Sequence, residues 1–192
     1  IRDSNIPEYK EYAGETKIAL MDNSSLVFMH ELSQRSYPSD RILGVYDLIL
    51  IPKWVMEEIE DSTYRSTYVE QLQAQGYPIR WIDETKYGTF VNDEDVNLYY
   101  IVEAAVSRVS ELMRFLRRKV KTEDLIDLPS AEEWMNRLYD EWPIHGRTLS
   151  TGRVLKKNAG EISLTILAEV FAWYHDEVTA RQSIRRIRMR MS

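Results

Sequence analysis

The hydrophobic residues of this chain alternate between two rhythms in its first half and settle into one in its second. Lys17-Ile18-Ala19-Leu20-Met21 is a short apolar run of strand length, and Asp22-Asn23-Ser24-Ser25 after it is a helix-start signal. The helix that follows carries Leu26, Val27, Met29, His30 and Leu32, and Tyr37-Pro38-Ser39-Asp40 breaks it. Residues 45–51 form a second apolar run with a single Asp, as expected of a parallel strand buried on both faces. Pro52 suits the first turn of the next helix, which carries Trp54, Val55 and Ile59, and a further helix through Val69 and Leu72 ends at Gly76. Tyr77 to Ile82 reads as a third strand. Strands alternating with helices predict an α/β fold, a parallel sheet flanked by helices with right-handed crossovers.

The rhythm then changes. Residues 1–16 are polar and predict a frayed arm. From Asp93 to about Lys119 the pattern predicts one long amphipathic helix, with Val96, Tyr99, Tyr100, Val102, Val106, Val109, Met113 and Leu116 on one side. Ser130-Ala131-Glu132-Glu133 is a capping box that opens another helix, which Pro143 stops. Residues 93–149 are therefore expected to be an all-helical insertion in an α/β core made of 17–92 and 150–192. A linker with Gly146, Gly152 and Gly160 returns the chain to that core.

At 192 residues, with 44% hydrophobic and 11% aromatic side chains, the chain has ample material for a core. Its formal net charge of −6 makes it a poor general polyanion binder, so contact with nucleic acid would depend on local basic patches. It has no cysteine, which excludes disulfides, thiolate catalysis and cysteine-ligated zinc and suits a reducing, cytoplasmic location. No apolar stretch approaches the length of a membrane span, so no membrane association is expected.

Four acids stand out by position. Asp22 lies where the chain leaves the first strand, the place at which functional groups gather in an open parallel sheet. Capping the next helix is its plain structural role, although Asn23 or Ser24 could serve there. Glu58 is adjacent to Ile59 and three past Val55, at the border of an apolar helix face. Glu57 and Glu60 show that acids also sit in that helix for no special reason. Glu161 opens a helix after Ala159-Gly160, where the macrodipole alone favours a carboxylate. Asp176 follows the aromatic end of that stretch, and Asp176-Glu177 is equally suited to begin a last helix, Thr179 to Met189. If the fold gathers these acids, their mutual repulsion calls for a divalent cation.

Other chemistries find less support. His30, His145 and His175 lack metal-ligand spacing, and there is neither a Gly-rich phosphate loop nor a nucleophile elbow. Two basic clusters could meet a phosphate backbone. One is Arg114, Arg117, Arg118, Lys119 and Lys121, where a helix C-terminus would favour cations anyway. The other, Arg181, Arg185, Arg186, Arg188 and Arg190, is denser and fits either nucleic acid or an acidic partner.

The ordered combination resembles the PIN domain. Ile18-Ala19-Leu20-Met21-Asp22-Asn23-Ser24 is similar to that family's first strand and acid, and Ile51-Pro52-Lys53-Trp54-Val55-Met56-Glu57-Glu58-Ile59 to its second motif. Asn158-Ala159-Gly160-Glu161-Ile162-Ser163-Leu164 is similar to its Gly-Glu helix opening. The resemblance covers residues 17–83 and 155–190. It implies a PIN-like fold and an Mg²⁺- or Mn²⁺-dependent endoribonuclease that hydrolyses RNA phosphodiester bonds, as a toxin, a defence nuclease or an RNA-processing enzyme. Carried over, Asp22, Glu58 and Glu161 would be the acidic core, Asp176 the fourth acid, and Ser24 the supporting hydroxyl. Arg181, Arg185 and Arg186 would meet RNA, an antitoxin or other regulatory protein would be a partner, and a homo-oligomer is expected. The family places a full strand between the Gly-Glu helix and the last acid, and Glu169 to Tyr174 leaves little room for one. A catalytically inactive PIN-like module that binds RNA or protein is the alternative, and an unrelated α/β protein with a partner-binding helical arm is another.

Overall fold

The computed structural model describes residues 5–91, 94–120 and 129–190, with the backbone alone described for 40, 94, 95, 119 and 175–190. The chain divides into two compact units, Ile1–Glu84 with Ile144–Leu164, and Thr85–Pro143 with Thr165–Ser192. The first is mixed α/β. Its three-stranded parallel sheet has the order β1 (Ile18–Leu20), β2 (Leu48–Pro52), β3 (Ile79–Ile82), so β2 is central. Ile18 to Leu20 pair with Leu48 to Leu50, and Ile49 to Pro52 with Ile79 to Ile82. Every residue of β2 is buried, which is why its sequence is continuously apolar and not alternating.

Between β1 and β2 run α1 (Asn23–Gln34) and the single turn α2 (Asp40–Leu43); between β2 and β3 run α3 (Lys53–Ile59) and α4 (Thr63–Ala74). Leu26, Met29, Val55, Met56, Ile59, Val69 and Leu72 from these helices close over Ile49, Ile51 and Ile79 of the sheet in one core cluster. Asp47, the lone acid of the second apolar run, lies outside β2. Its Oδ2 accepts from Thr16 N (3.1 Å), Thr16 Oγ1 (2.9 Å) and Lys17 N (3.0 Å), fixing the approach to β1.

The polar start of the chain is not a frayed arm throughout. Ile6 and Tyr9 are 4% and 5% exposed, Glu8 forms a parallel bridge with Trp81, and Tyr9 N donates to Trp81 O while Trp81 N donates to Pro7 O. Two apolar side chains among charged neighbours suffice to anchor it, a signal too sparse for periodicity to register. The expected glycine linker is likewise a β-hairpin, β4 (His145–Thr148) and β5 (Val154–Lys156), antiparallel, with Gly152 at φ +81° in its turn. Arg153 forms an ion pair with Glu57, and Arg147 one with Asp61 (3.5 Å), so the hairpin binds the polar side of α3 and the turn after it.

The second unit is helical. A 3₁₀ stretch from Glu84 to Phe90 leads into α5 (Glu94–Val106), α6 (Ser110–Val120) and α7 (Ala131–Asp140). The single long helix expected from Asp93 to Lys119 is thus two helices, broken where Val109 N bonds Val106 O in a turn. The break lets Val102 and Val106 of α5 and Leu112 and Leu116 of α6 all be fully buried alongside Trp134 and Met135 of α7. Ser130 caps α7 as the capping box predicts, accepting from Glu133 N (3.3 Å). The last helix, α8 (Ala159–Arg190), runs without interruption. Neither the separate helix from Thr179 nor a strand before Asp176 forms, because Ile162, Ile166, Leu167 and Val170 keep a helical burial period up to the aromatic stretch. Its first turns lie in the α/β unit and the rest in the helical unit, a division at 85, 144 and 165 in place of the single inserted block 93–149. No helix among the described residues is long and apolar enough to cross a membrane.

Candidate functional site

Three of the four singled-out acids, Asp22, Glu58 and Glu161, line one polar pocket of about 230 Å³ together with Asn23, Ser24, Val55, Asn158 and Gly160. They come from three places in the sequence. Asp22 follows β1 directly, Glu58 is carried by the helix that leaves β2, and Glu161 lies in the first turn of α8. The parallel sheet brings the first two to the same end because β1 and β2 both deliver their carboxyl ends there. Asp176 falls in the other unit, within α8, and its side chain lies outside the described residues, as do those of Arg181, Arg185 and Arg186.

Asp22 and Glu58 each already have a local role. Asp22 is the N-cap of α1, its Oδ1 accepting from Ser25 N at 2.6 Å. Glu58 accepts from the backbone N–H of Gly160, one of the donors at the start of α8 that the helix itself cannot satisfy. Burial pushes the Glu58 carboxyl above its ordinary value, opposed by the Gly160 N–H and the Arg65 guanidinium, while the negative charges of Asp22 and Glu161 push the same way as burial. Arg65 in α4 donates to Asn23 Oδ1 at 2.6 Å, and its Nε is buried without a hydrogen-bond partner among the described residues. Sequence reading passed over Arg65 because α4 shows no local pattern that marks it.

Gly160 lies in close approach to α3. A β-carbon there would lie 3.0 Å from Glu58 Oε1 and 3.1 Å from Val55 Cγ2. The preceding Asn158 has φ +63°, a conformation that Asn adopts more readily than most residues. Gly160→Ala gains up to about 1 kcal/mol of helix propensity and loses about 1–3 kcal/mol to overpacking. A net destabilisation of about 1 kcal/mol is expected in urea unfolding; unchanged or higher stability would show that this wall yields freely.

The one fully buried acid among the described residues is not one of the four singled out in the sequence. Glu84 is 1% exposed and stands just past the carboxyl end of β3. Its Oε1 accepts from the backbone N–H of Trp54 (2.9 Å) and from Ser163 Oγ (2.7 Å), and its Oε2 has no hydrogen-bond partner among the described residues. Burial pushes its carboxyl up to about 8 against those two donors, with the neighbouring Asp83 adding to the rise. Lys53 pairs with Asp83 at 2.8 Å and supplies the nearby positive charge. Glu84 stands at a strand exit as Asp22 does, two residues past the end of β3.

Neither His30 nor His145 lines the pocket. His30 packs against the rings of Tyr64 and Tyr68 at 5.0 and 4.9 Å, His145 is exposed at the start of β4, and the His175 side chain lies outside the described residues. Among the described residues no three His, Cys, Asp or Glu side chains are placed to hold a metal ion as they stand. No protein-family model, curated protein or solved structure matches the chain.

Proposed function

We propose that the α/β unit is a PIN-like, divalent-metal-dependent endoribonuclease whose centre is the pocket of Asp22, Glu58 and Glu161. The observation that supports this most is the convergence of three sequence-distant carboxylates on one polar pocket at the carboxyl end of a parallel sheet. Burial and the charges of Asp22 and Glu161 all act against ionised Glu58, a conflict that a bound cation relieves. The donors are hard oxygens, which suit Mg²⁺ or Mn²⁺ and not a thiophilic ion. Asp22, Glu58 and Glu161 would hold the cation, with Ser24 as a hydroxyl at the pocket wall that orients a carboxylate or a water. When bound, such a cation lowers the pKa of a coordinated water and offsets charge on phosphoryl oxygens. The Gly160 N–H and the Asp22 cap fix two of the carboxylates on rigid elements, and Arg65 holds Asn23 beside them. RNA as substrate and a regulatory protein as partner rest on the family resemblance.

The test is incubation of the purified protein with mixed cellular RNA in Mg²⁺, in Mn²⁺ and in excess chelator, with Mn²⁺ binding measured in parallel. Cleavage is expected only with a cation. A protein that neither cleaves nor binds Mn²⁺ would favour a second reading, a catalytically inactive PIN-like module. That reading draws on the separation of the three carboxylates as they stand and on the unbroken α8, which leaves no strand to present Asp176.

A further inference from the structure

We propose that Glu84 is the positioning residue of the acid pocket, a buried carboxyl that ties the start of α3 to the first turn of α8 and so sets the spacing of Glu58 and Glu161. The inference rests on reading that pocket as the metal site. One oxygen of Glu84 receives two donors that belong to different helices, Trp54 N at the beginning of α3 and Ser163 Oγ in α8. Glu58 lies one turn along α3 from Trp54, and Glu161 lies two residues before Ser163. The two helices meet a second time at the pocket, where Glu58 takes the Gly160 N–H and where a β-carbon at 160 would crowd Glu58 and Val55 at 3.0 and 3.1 Å. Glu84 and Glu58 thus link α3 to α8 at two separate points, Trp54 to Ser163 through Glu84 and Glu58 to Gly160 at the pocket.

A cap for α3 alone would need only the bond to Trp54 N. The Ser163 bond adds nothing to that cap, and both groups are taken fully out of water to make it. Ser163 is itself 0% exposed and Glu84 bridges 79 positions of sequence to reach it. Such a buried polar link specifies geometry between elements that apolar packing alone leaves free to slide.

The experiment compares wild type with Glu84→Gln, Glu84→Ala and Ser163→Ala, reading amide exchange at Trp54 and Gly160 and Mn²⁺ affinity. Glutamine keeps an acceptor for both donors, so Glu84→Gln is expected to hold both amides and the Mn²⁺ affinity within about threefold of wild type. Glu84→Ala is expected to speed exchange at both amides and weaken Mn²⁺ binding by about 10-fold or more, as loss of an outer support does. If Glu84→Ala fails to fold, Ser163→Ala carries the same question, since it removes the α8 bond and leaves the cap on α3. Faster exchange at Trp54 with unchanged Gly160 exchange in Glu84→Ala, or an unaltered Gly160 in Ser163→Ala, would reduce Glu84 to a cap and overturn the proposal. Should wild type bind no Mn²⁺, the metal reading falls by itself, and the Gly160 exchange still decides whether Glu84 places Glu58.

Discussion

Asp22→Asn is expected to abolish cation-dependent RNA cleavage while leaving the fold as stable as before. The two roles of Asp22 separate at this substitution. Its Oδ1 caps α1 through Ser25 N, and Asn offers the same oxygen with nearly equal capping strength, so unfolding free energy should change by less than about 0.5 kcal/mol. The carboxylate charge is lost, and with it a hard ligand of the proposed metal site. The rate should fall by at least about 100-fold, beyond what loss of an outer support costs. Removing that charge also withdraws one of the repulsions acting on Glu58, so the Glu58 carboxyl should titrate lower in the variant. Asp22→Ala, by contrast, loses both roles and should cost about 1 kcal/mol of stability as well. Undiminished cleavage by Asp22→Asn would place the chemistry elsewhere and remove the metal role from this pocket.

The second large effect is a dependence of stability on pH that one residue dominates. Glu84 titrates near 8 when folded and near its ordinary value of 4.5 when unfolded. Between those values the folded chain holds a proton that the unfolded chain releases, so stability falls as pH rises from about 4.5 and levels off above about 8. The full span of the effect is on the order of 5 kcal/mol. Charged neighbours set its detail: Asp83 raises the Glu84 value, and Lys53, paired with Asp83, keeps that carboxylate partly offset. Glu84→Gln keeps an acceptor for Trp54 and Ser163 and cannot ionise, so it should match wild type near pH 5 and exceed it by a margin that widens up to about pH 8 and then holds. Parallel denaturation curves for wild type and variant from pH 5 to pH 9 would show no divergence if Glu84 were ionised throughout or in contact with water.

What the sequence revealed followed from local repetition. The apolar runs at Ile18 and Leu48 and the Pro52 junction gave the strands, their parallel pairing and the helix that carries Glu58, because a strand buried on both faces has few other compositions available. Asp22 was visible for the same reason: a polar residue at the end of such a run must leave the sheet. Features assembled from distant residues were not visible. Nothing around Arg65 signals that Asn23 lies 2.6 Å away, and nothing around Glu84 signals Ser163. The hairpin at Gly146 and Gly152 escaped notice because its strands are mostly exposed and polar, held by Arg147 and Arg153 to acids on α3 and just past it. The turn at Ser107 to Val109 was missed because apolar positions on either side of it keep helical spacing, and only packing against α7 shows that they belong to two helices.

The pairing of Pro7 and Tyr9 with Trp81 has a practical consequence. β3 is short, carries Ile79, Trp81 and Ile82, and has β2 on one side only. The N-terminal segment shields part of its other side, occupying main-chain groups at Trp81 that would otherwise offer a template to another molecule. Trimming the polar first residues as dispensable would strip that guard and leave an aromatic, β-branched margin open to edge-to-edge self-association.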